Sequence, residues 1–206
     1  MPPRLERLSA RLVVEPGDAL LDYGCAEAPY RAFFDAAVEY TPADLPGNPH
    51  ATLILNDDGA IPAPDDSFDA VLSTQVLEHV SDPSHYLAEA YRVLRPGGRI
   101  LLSTHGTFVY HPDPVDLWRW TCDGLRRTVA APGFEIEHFE GIIGLAATGL
   151  QLVQDAVYYH LPRPLRPALA LVVQSLMAVA DRIESADSRD MNGSVFALIA
   201  RKPSVR

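Results

Sequence analysis

Asp22, Gly24, Ala26 and Ala28 alternate in the run Leu-Leu-Asp-Tyr-Gly-Cys-Ala-Glu-Ala, directly behind an apolar stretch. An acid followed by small residues at the end of a leading strand is the kind of turn over which open α/β sheets bind ligands. A diphosphate would need glycines in the order G-x-G-x-x-G, so that backbone can approach it at a helix start. Only Gly24 survives of that pattern, and the turn suits adenosine joined to a compact amino acid better than a dinucleotide. Asp44 stands about 20 residues on, where a carboxylate accepts hydrogen bonds from both ribose hydroxyls. Asp57, with Asp58 beside it, follows a third apolar stretch and offers a carboxylate to an adenine amino group. Singly, each aspartate also fits an ordinary turn, because Asp bonds its own backbone there. In this order they describe a nucleoside site.

A second constellation begins at Thr74-Gln75-Val-Leu-Glu78-His79. If a helix starts at Gln75, spacings of three and four place Gln75, Glu78 and His79 on one face. Imidazole is the side chain best suited to proton transfer near neutral pH, so His79, His105 and His111 are candidate general bases. For His105 and His111 the competing reading is an ordinary loop histidine. Tyr110, Trp118 and Arg119 form a candidate acceptor surface, with the Trp118 ring for the C–H face of a sugar or a phenol and Arg119 for hydrogen bonds. Trp120 reads as a loop anchor.

The elements that must position these residues alternate. Strands are expected at 19–23, 38–43, 52–55, 68–74, 99–104, 134–140 and 194–201, and helices at 4–14, 30–37, 83–94 and 122–130. Phe68–Thr74, apolar at Phe68 and through Ala70–Leu72, reads as a central strand buried on both faces. This is an α/β rhythm. Residues 142–185 interrupt it with two apolar helical stretches, near 145–160 and 165–184, separated by Leu-Pro-Arg-Pro.

The ordered stretches Asp22-Tyr-Gly24-Cys-Ala26, Asp44, Pro-Ala-Pro-Asp-Asp-Ser-Phe68-Asp69-Ala-Val, Leu-Glu78-His79-Val and Leu94-Arg-Pro96-Gly97-Gly98 resemble the class I S-adenosylmethionine-dependent methyltransferases of type 11. The resemblance covers about residues 18–140. It implies a Rossmann-like, doubly wound, seven-stranded, mostly parallel sheet with an antiparallel carboxyl-terminal strand, S-adenosylmethionine as cofactor, and contacts to it from Asp22, Gly24, Asp44, Asp57 and the neighbourhood of Thr74 and Gln75. Ala26 and Ala28 depart from it, since the family has glycine there. Glu78-His79 followed by Asp116 is also similar to the ligand set of methyltransferases that activate a hydroxyl with a divalent ion, the small-RNA 2′-O-methyltransferases and ubiquinone-pathway O-methyltransferases, although Gln75 replaces their first glutamate. That likeness implies Glu78, His79 and Asp116 as ligands of Mg2+ or Mn2+. In metal-free relatives the same histidine simply packs against a strand.

Composition narrows the function. The 206 residues carry a net charge of −10 and are 48% apolar, which suits one globular domain over 1–206 and repels nucleic acid. Cys25 and Cys122 lie far apart, so no disulfide framework or thiolate metal site is signalled, and a cytoplasmic setting is expected. The longest apolar stretch, 168–180, is too short to span a bilayer. The expected acceptor is a small molecule or oligosaccharide, with methylation of a sugar hydroxyl favoured by resemblance to enzymes of polysaccharide and antibiotic sugar modification. An aromatic or lipid-like acceptor and a non-catalytic partner protein are the alternatives. The apolar insertion at 142–185 is expected to cover the acceptor or to form a homodimer seam.

Overall fold

Each apolar stretch read as a strand is one. The computed structural model describes residues 2–112 and 115–204. In it β1 (Ala19–Tyr23), β2 (Glu39–Asp44), β3 (Leu53–Ile54), β4 (Phe68–Thr74), β5 (Leu94–His105), β6 (Glu135–Gly141) and β7 (Val195–Arg201) form one sheet in the order β3-β2-β1-β4-β5-β7-β6. β7 runs antiparallel to β5 and β6, and the remaining pairs are parallel. This is the Rossmann-like arrangement expected.

Burial on both faces explains the consecutive apolar residues of the central strands. Leu21, Val71 and Ile100 pack with Leu87 and Val93 of α2 (Pro83–Val93) and Leu125 of α3 (Cys122–Ala130). Their neighbours Leu20, Leu72 and Leu101 point the other way, onto Leu5 and Leu8 of α1 (Pro2–Ser9) and Leu12. Successive residues of one strand thus serve two cores.

Two expected helices differ. Segment 30–37 makes only a 3-10 turn at Arg31–Phe33. The Arg31 guanidinium gathers the carbonyls of Phe34, Asp35 and Ala36, and Tyr30, Phe33 and Phe34 pack on the α1 side of the sheet. The amino-terminal helix stops at Ser9, continues as a 3-10 turn to Leu12, and ends on Val13 in a left-handed conformation. A helix absent from the sequence reading, α6 (Ala186–Asn192), lacks apolar periodicity and is held by its Ser185 cap and by Arg189 on the carbonyls of Asp181 and Glu184.

The insertion is a helical hairpin of α4 (Leu145–Tyr158) and α5 (Arg166–Ile183) between β6 and β7. The two helices pack chiefly on each other, and α5 fully buries only Val173. No helix among the described residues is long and apolar enough to cross a membrane.

The strand order reverses between β1 and β4, the kind of switch point over which open α/β sheets bind ligands. Register brings Asp22 beside Leu72 and Tyr23 beside Ala43, which gathers the ends of β1, β2 and β4 at one edge. The layering yields a contrast. Leu101→Ala, at a position 1% exposed, should lose about 2–5 kcal/mol in urea unfolding, whereas Leu171→Ala on the hairpin, 70% exposed, should change stability by less than about 0.5 kcal/mol.

Candidate active site

The chain leaving β1 passes hard against the chain leaving β4. Gly24 has φ +85°, and a Cβ there would stand 2.6 Å from Val76 Cγ2, so both conformation and space demand glycine. Ala26 and Ala28 follow at φ 47° and 52°. The departure from glycine seen in the sequence therefore leaves a turn in glycine-like conformation that carries the strain of two methyl groups.

Asp44, closing β2, pins this turn. Its Oδ2 accepts from Ala26 N at 3.0 Å and from Asn48 Nδ2 at 2.7 Å, while Oδ1 accepts from Leu45 N at 2.8 Å. Asn48 also donates to the Ala26 carbonyl at 2.7 Å. Sequence reading missed Asn48, whose only signal is its place just beyond Asp44. Oδ2 also lies 3.9 Å from the Cys25 thiol, whereas Oδ1 accepts only from Leu45 N and keeps a lone pair for a further donor.

Gly24, Ala26, Asp44, Asp57, Asp58 and Gln75 line one cavity of about 470 Å3, within the range of small-molecule sites. Tyr23 and Tyr86, also missed from sequence, complete one wall with rings stacked at 3.9 Å. The Tyr23 hydroxyl donates to the Gly59 carbonyl at 2.5 Å, and that of Tyr86 to the Tyr23 carbonyl at 2.9 Å. Asp22 and Thr74 are not on the wall. Asp22 is 1% exposed and accepts from the Tyr40 hydroxyl. Burial pushes its carboxyl up to about 6, against the Tyr40 hydrogen bond and with help from the Asp44 charge.

No helix begins at Gln75. That residue is left-handed, at φ 58°, and its backbone and side chain both donate to Ser103. α2 starts only after the Asp82 cap. Gln75, Glu78 and His79 consequently do not share a helix face. Glu78 turns inward, fully buried, with Oε2 accepting from Thr104 Oγ1 at 2.8 Å and Oε1 3.1 Å from His105 Nδ1. Burial raises the Glu78 carboxyl and lowers the His105 imidazole to about 4, so His105 is neutral near pH 7. The His105 ring stacks on Phe108 and is not part of the cavity wall.

Backbone contacts clamp the following loop over the cavity. Leu117 N and Trp118 N both donate to the Glu78 carbonyl, Trp118 Nε1 donates to the Val80 carbonyl, and His79 Nδ1 meets the Val115 carbonyl. A carbonyl only accepts, so His79 carries its proton on Nδ1 and leaves Nε2 as the lone-pair nitrogen. His79, Val115 and Leu117 line the cavity. Asp116 and Arg119 instead pair through two 2.5 Å contacts, and Asp116 also accepts from His111 N. Arg119 holds the Asp116 carboxyl well below the usual carboxylate range and also donates to the carbonyls of Phe108 and Val109. His111 and Tyr110 stand exposed on the outer loop, and Trp118, 39% exposed, stacks on Trp120.

The expected metal ligands do not fit this geometry. Glu78 is engaged by Thr104 and faces His105, Asp116 is engaged by Arg119, and His79 points Nδ1 at Val115. Among the described residues no three His, Cys, Asp or Glu side chains converge as a metal site.

Residues 21–102 match the family described as "Methyltransferase domain". That match covers 82 of the 206 residues. It is 34% identical over 129 residues to 27-O-demethylrifamycin SV methyltransferase of Amycolatopsis mediterranei, covering 54% of this chain and 46% of that one. It is 37% identical over 109 residues to malonyl-(acyl-carrier protein) O-methyltransferase of Serratia marcescens, covering 48% and 43%. The chain thus spans less than half the length of these curated relatives. In fold, the domain superposes on the crystal structure of the (4+2)-cyclase SpnF with a TM-score of 0.64 at 25% identity, over 98% of this chain and 81% of that one.

Two variants probe the turn after β1 and the buried acid before it. Ala28→Gly should stabilise the protein by about 0.5–1 kcal/mol in urea, because relief of the left-handed methyl exceeds the entropy glycine adds to the unfolded chain; a loss of stability would contradict the strain. The Asp22 carboxyl binds its proton more tightly folded than unfolded, so its contribution is full below about pH 4 and is lost as pH rises through about 6. Asp22→Asn, which keeps an acceptor for Tyr40, should therefore gain on the parent between pH 4 and 7, by up to about 3 kcal/mol. An advantage that did not grow with pH would show that Asp22 is not buried as a proton-binding group.

Proposed function

We propose that this protein transfers the methyl group of S-adenosylmethionine to a hydroxyl group of a small acceptor. The observation that carries this reading is a single cavity joining the Gly24 turn, the Asp44 carboxylate and the lone-pair nitrogen of His79. The residues suit the cofactor. Gly24 keeps the turn free of a side chain, Asp44 has acceptor capacity for ribose hydroxyls, and Asp57 and Asp58 stand on the same wall for the adenine amino group. When bound, S-adenosylmethionine supplies a methyl group on a positively charged sulfur, already activated for a nucleophile.

The chain's own tasks are then positioning and proton management. His79, fixed by Val115, would receive the proton of the acceptor hydroxyl on Nε2. Val115 and Leu117 give it an apolar border.

A sugar hydroxyl is our first acceptor class. Trp118 stands beside Val80 and Leu117 of the wall and offers ring surface to sugar C–H bonds. Val76, Val80, Val115 and Leu117 around His79 favour a second class, a phenol or lipid-like hydroxyl. Label from methyl-tritiated S-adenosylmethionine, offered with methyl glycosides and with catechols, separates the two. Because a cyclase shares this fold, label transfer and not binding alone is the decisive readout.

Asp44→Ala should weaken S-adenosylhomocysteine binding at least tenfold in calorimetry, the loss expected for charge-assisted hydrogen bonds. His79→Gln should leave that affinity within about threefold and lower kcat about 10²- to 10⁴-fold. No affinity for either form of the cofactor would sink the proposal.

A further inference from the structure

The α4–α5 hairpin is built for surroundings other than water. Every exposed position of α4 is Leu, Val, Ala or Gly, with Val153 at 62% exposure. In α5 no charged residue lies between Arg166 and Asp181, and Val172, Leu176, Val179 and Ile183 form an exposed stripe at spacings of four, three and four. Its acids are engaged by protein groups. Asp181 binds Arg4 and Gly144 N, Glu184 receives Leu145 N and Ser188, and Asp155 receives Gln151.

The hairpin tip has the opposite charge to the molecule. Arg163 is exposed and has no side-chain hydrogen bond or ion pair among the described residues. Arg166 donates to the carbonyls of Leu161 and Tyr159 and lies over the Tyr158 and Tyr159 rings. Tyr159 is 77% exposed. Aromatic and cationic residues bordering an apolar surface are the composition of a membrane interface. In a chain of net charge −10, the arginines of the tip are drawn to an anionic surface that repels the acidic body, which favours an orientation with the hairpin toward it.

We propose that the α4–α5 hairpin docks the protein lengthwise onto an anionic lipid surface, with its apolar sides at the acyl-chain boundary and Tyr158, Tyr159, Arg163 and Arg166 among the headgroups. A second copy of the chain is the competing occupant. It would bring the same cations and the same negative body to the seam, whereas lipid accommodates exposed apolar faces on both helices and neutralises the arginines. The hairpin lies on the surface and does not span it, because the 18 residues of α5 reach about 27 Å, short of a hydrocarbon core of about 30 Å. Methyl transfer is not a premise of this inference.

Sedimentation of the full chain with phosphatidylcholine vesicles, with and without a phosphatidylglycerol fraction, tests it. The protein should pellet with the anionic vesicles and be released by salt. Val153→Asp combined with Leu176→Asp should weaken binding at least tenfold, and Arg163→Gln, which disturbs no contact of the fold, about fivefold. Protein that stays in solution with both vesicle types overturns the proposal. So does binding that ignores both lipid charge and salt, or a dimer in size-exclusion chromatography that the aspartate variant converts to monomer while no vesicle is bound.

Discussion

The carboxyl edge of the sheet depends on how closely the chain leaving β1 passes the chain leaving β4. With Val76 filling the space beside it, the turn can proceed only through a residue without a Cβ, and Gly24 is that residue. The left-handed course continues through Ala26 and Ala28 at a cost in strain, and Asp44 and Asn48 hold it from the β2 side. Gln75 mirrors this on β4, itself left-handed and tied back to Ser103. Backbone strain gathers on both lips of the crevice, where a ligand would profit from a preformed wall.

The segment 76–80 works largely through its backbone. The Glu78 carbonyl receives two N–H groups of the covering loop, and the Val80 carbonyl receives the Trp118 indole. The Glu78 side chain does something different, joining the end of β4 to the end of β5 through Thr104. Burying a carboxylate and an imidazolium side by side would be expensive, and burial opposes both charges here, raising the acid and lowering the base. His79, beside them but on the cavity wall, is held by Val115 in the tautomer whose free nitrogen can accept a proton.

The molecule therefore has two regimes of apolar burial. In the sheet, alternating residues fill two closed cores. In the hairpin, apolar side chains remain outside, and the acids that would make the surface wet are spent on internal bonds to Arg4, Gly144, Leu145 and Ser188. One architecture completes itself, and the other waits for surroundings that accept hydrocarbon.

Much of this was legible in the residues alone. Apolar runs such as Phe68–Thr74 are dictated by burial on both faces, and Asp44, Asp57 and Asp58 stand at strand ends, where chain order alone brings them to the crevice. The two helices of the insertion were readable from their length and their Pro-rich break. Tertiary structure decided what depends on partners distant in sequence: that Asp22 would be sealed behind the wall by Tyr40 and that Glu78 would face Thr104 and His105. Spacing along a chain specifies which residues can share a face only once the local conformation is known. A single left-handed residue at Gln75, stabilised from another strand, turned a helical face into a turn and separated the side chains that helical spacing had joined.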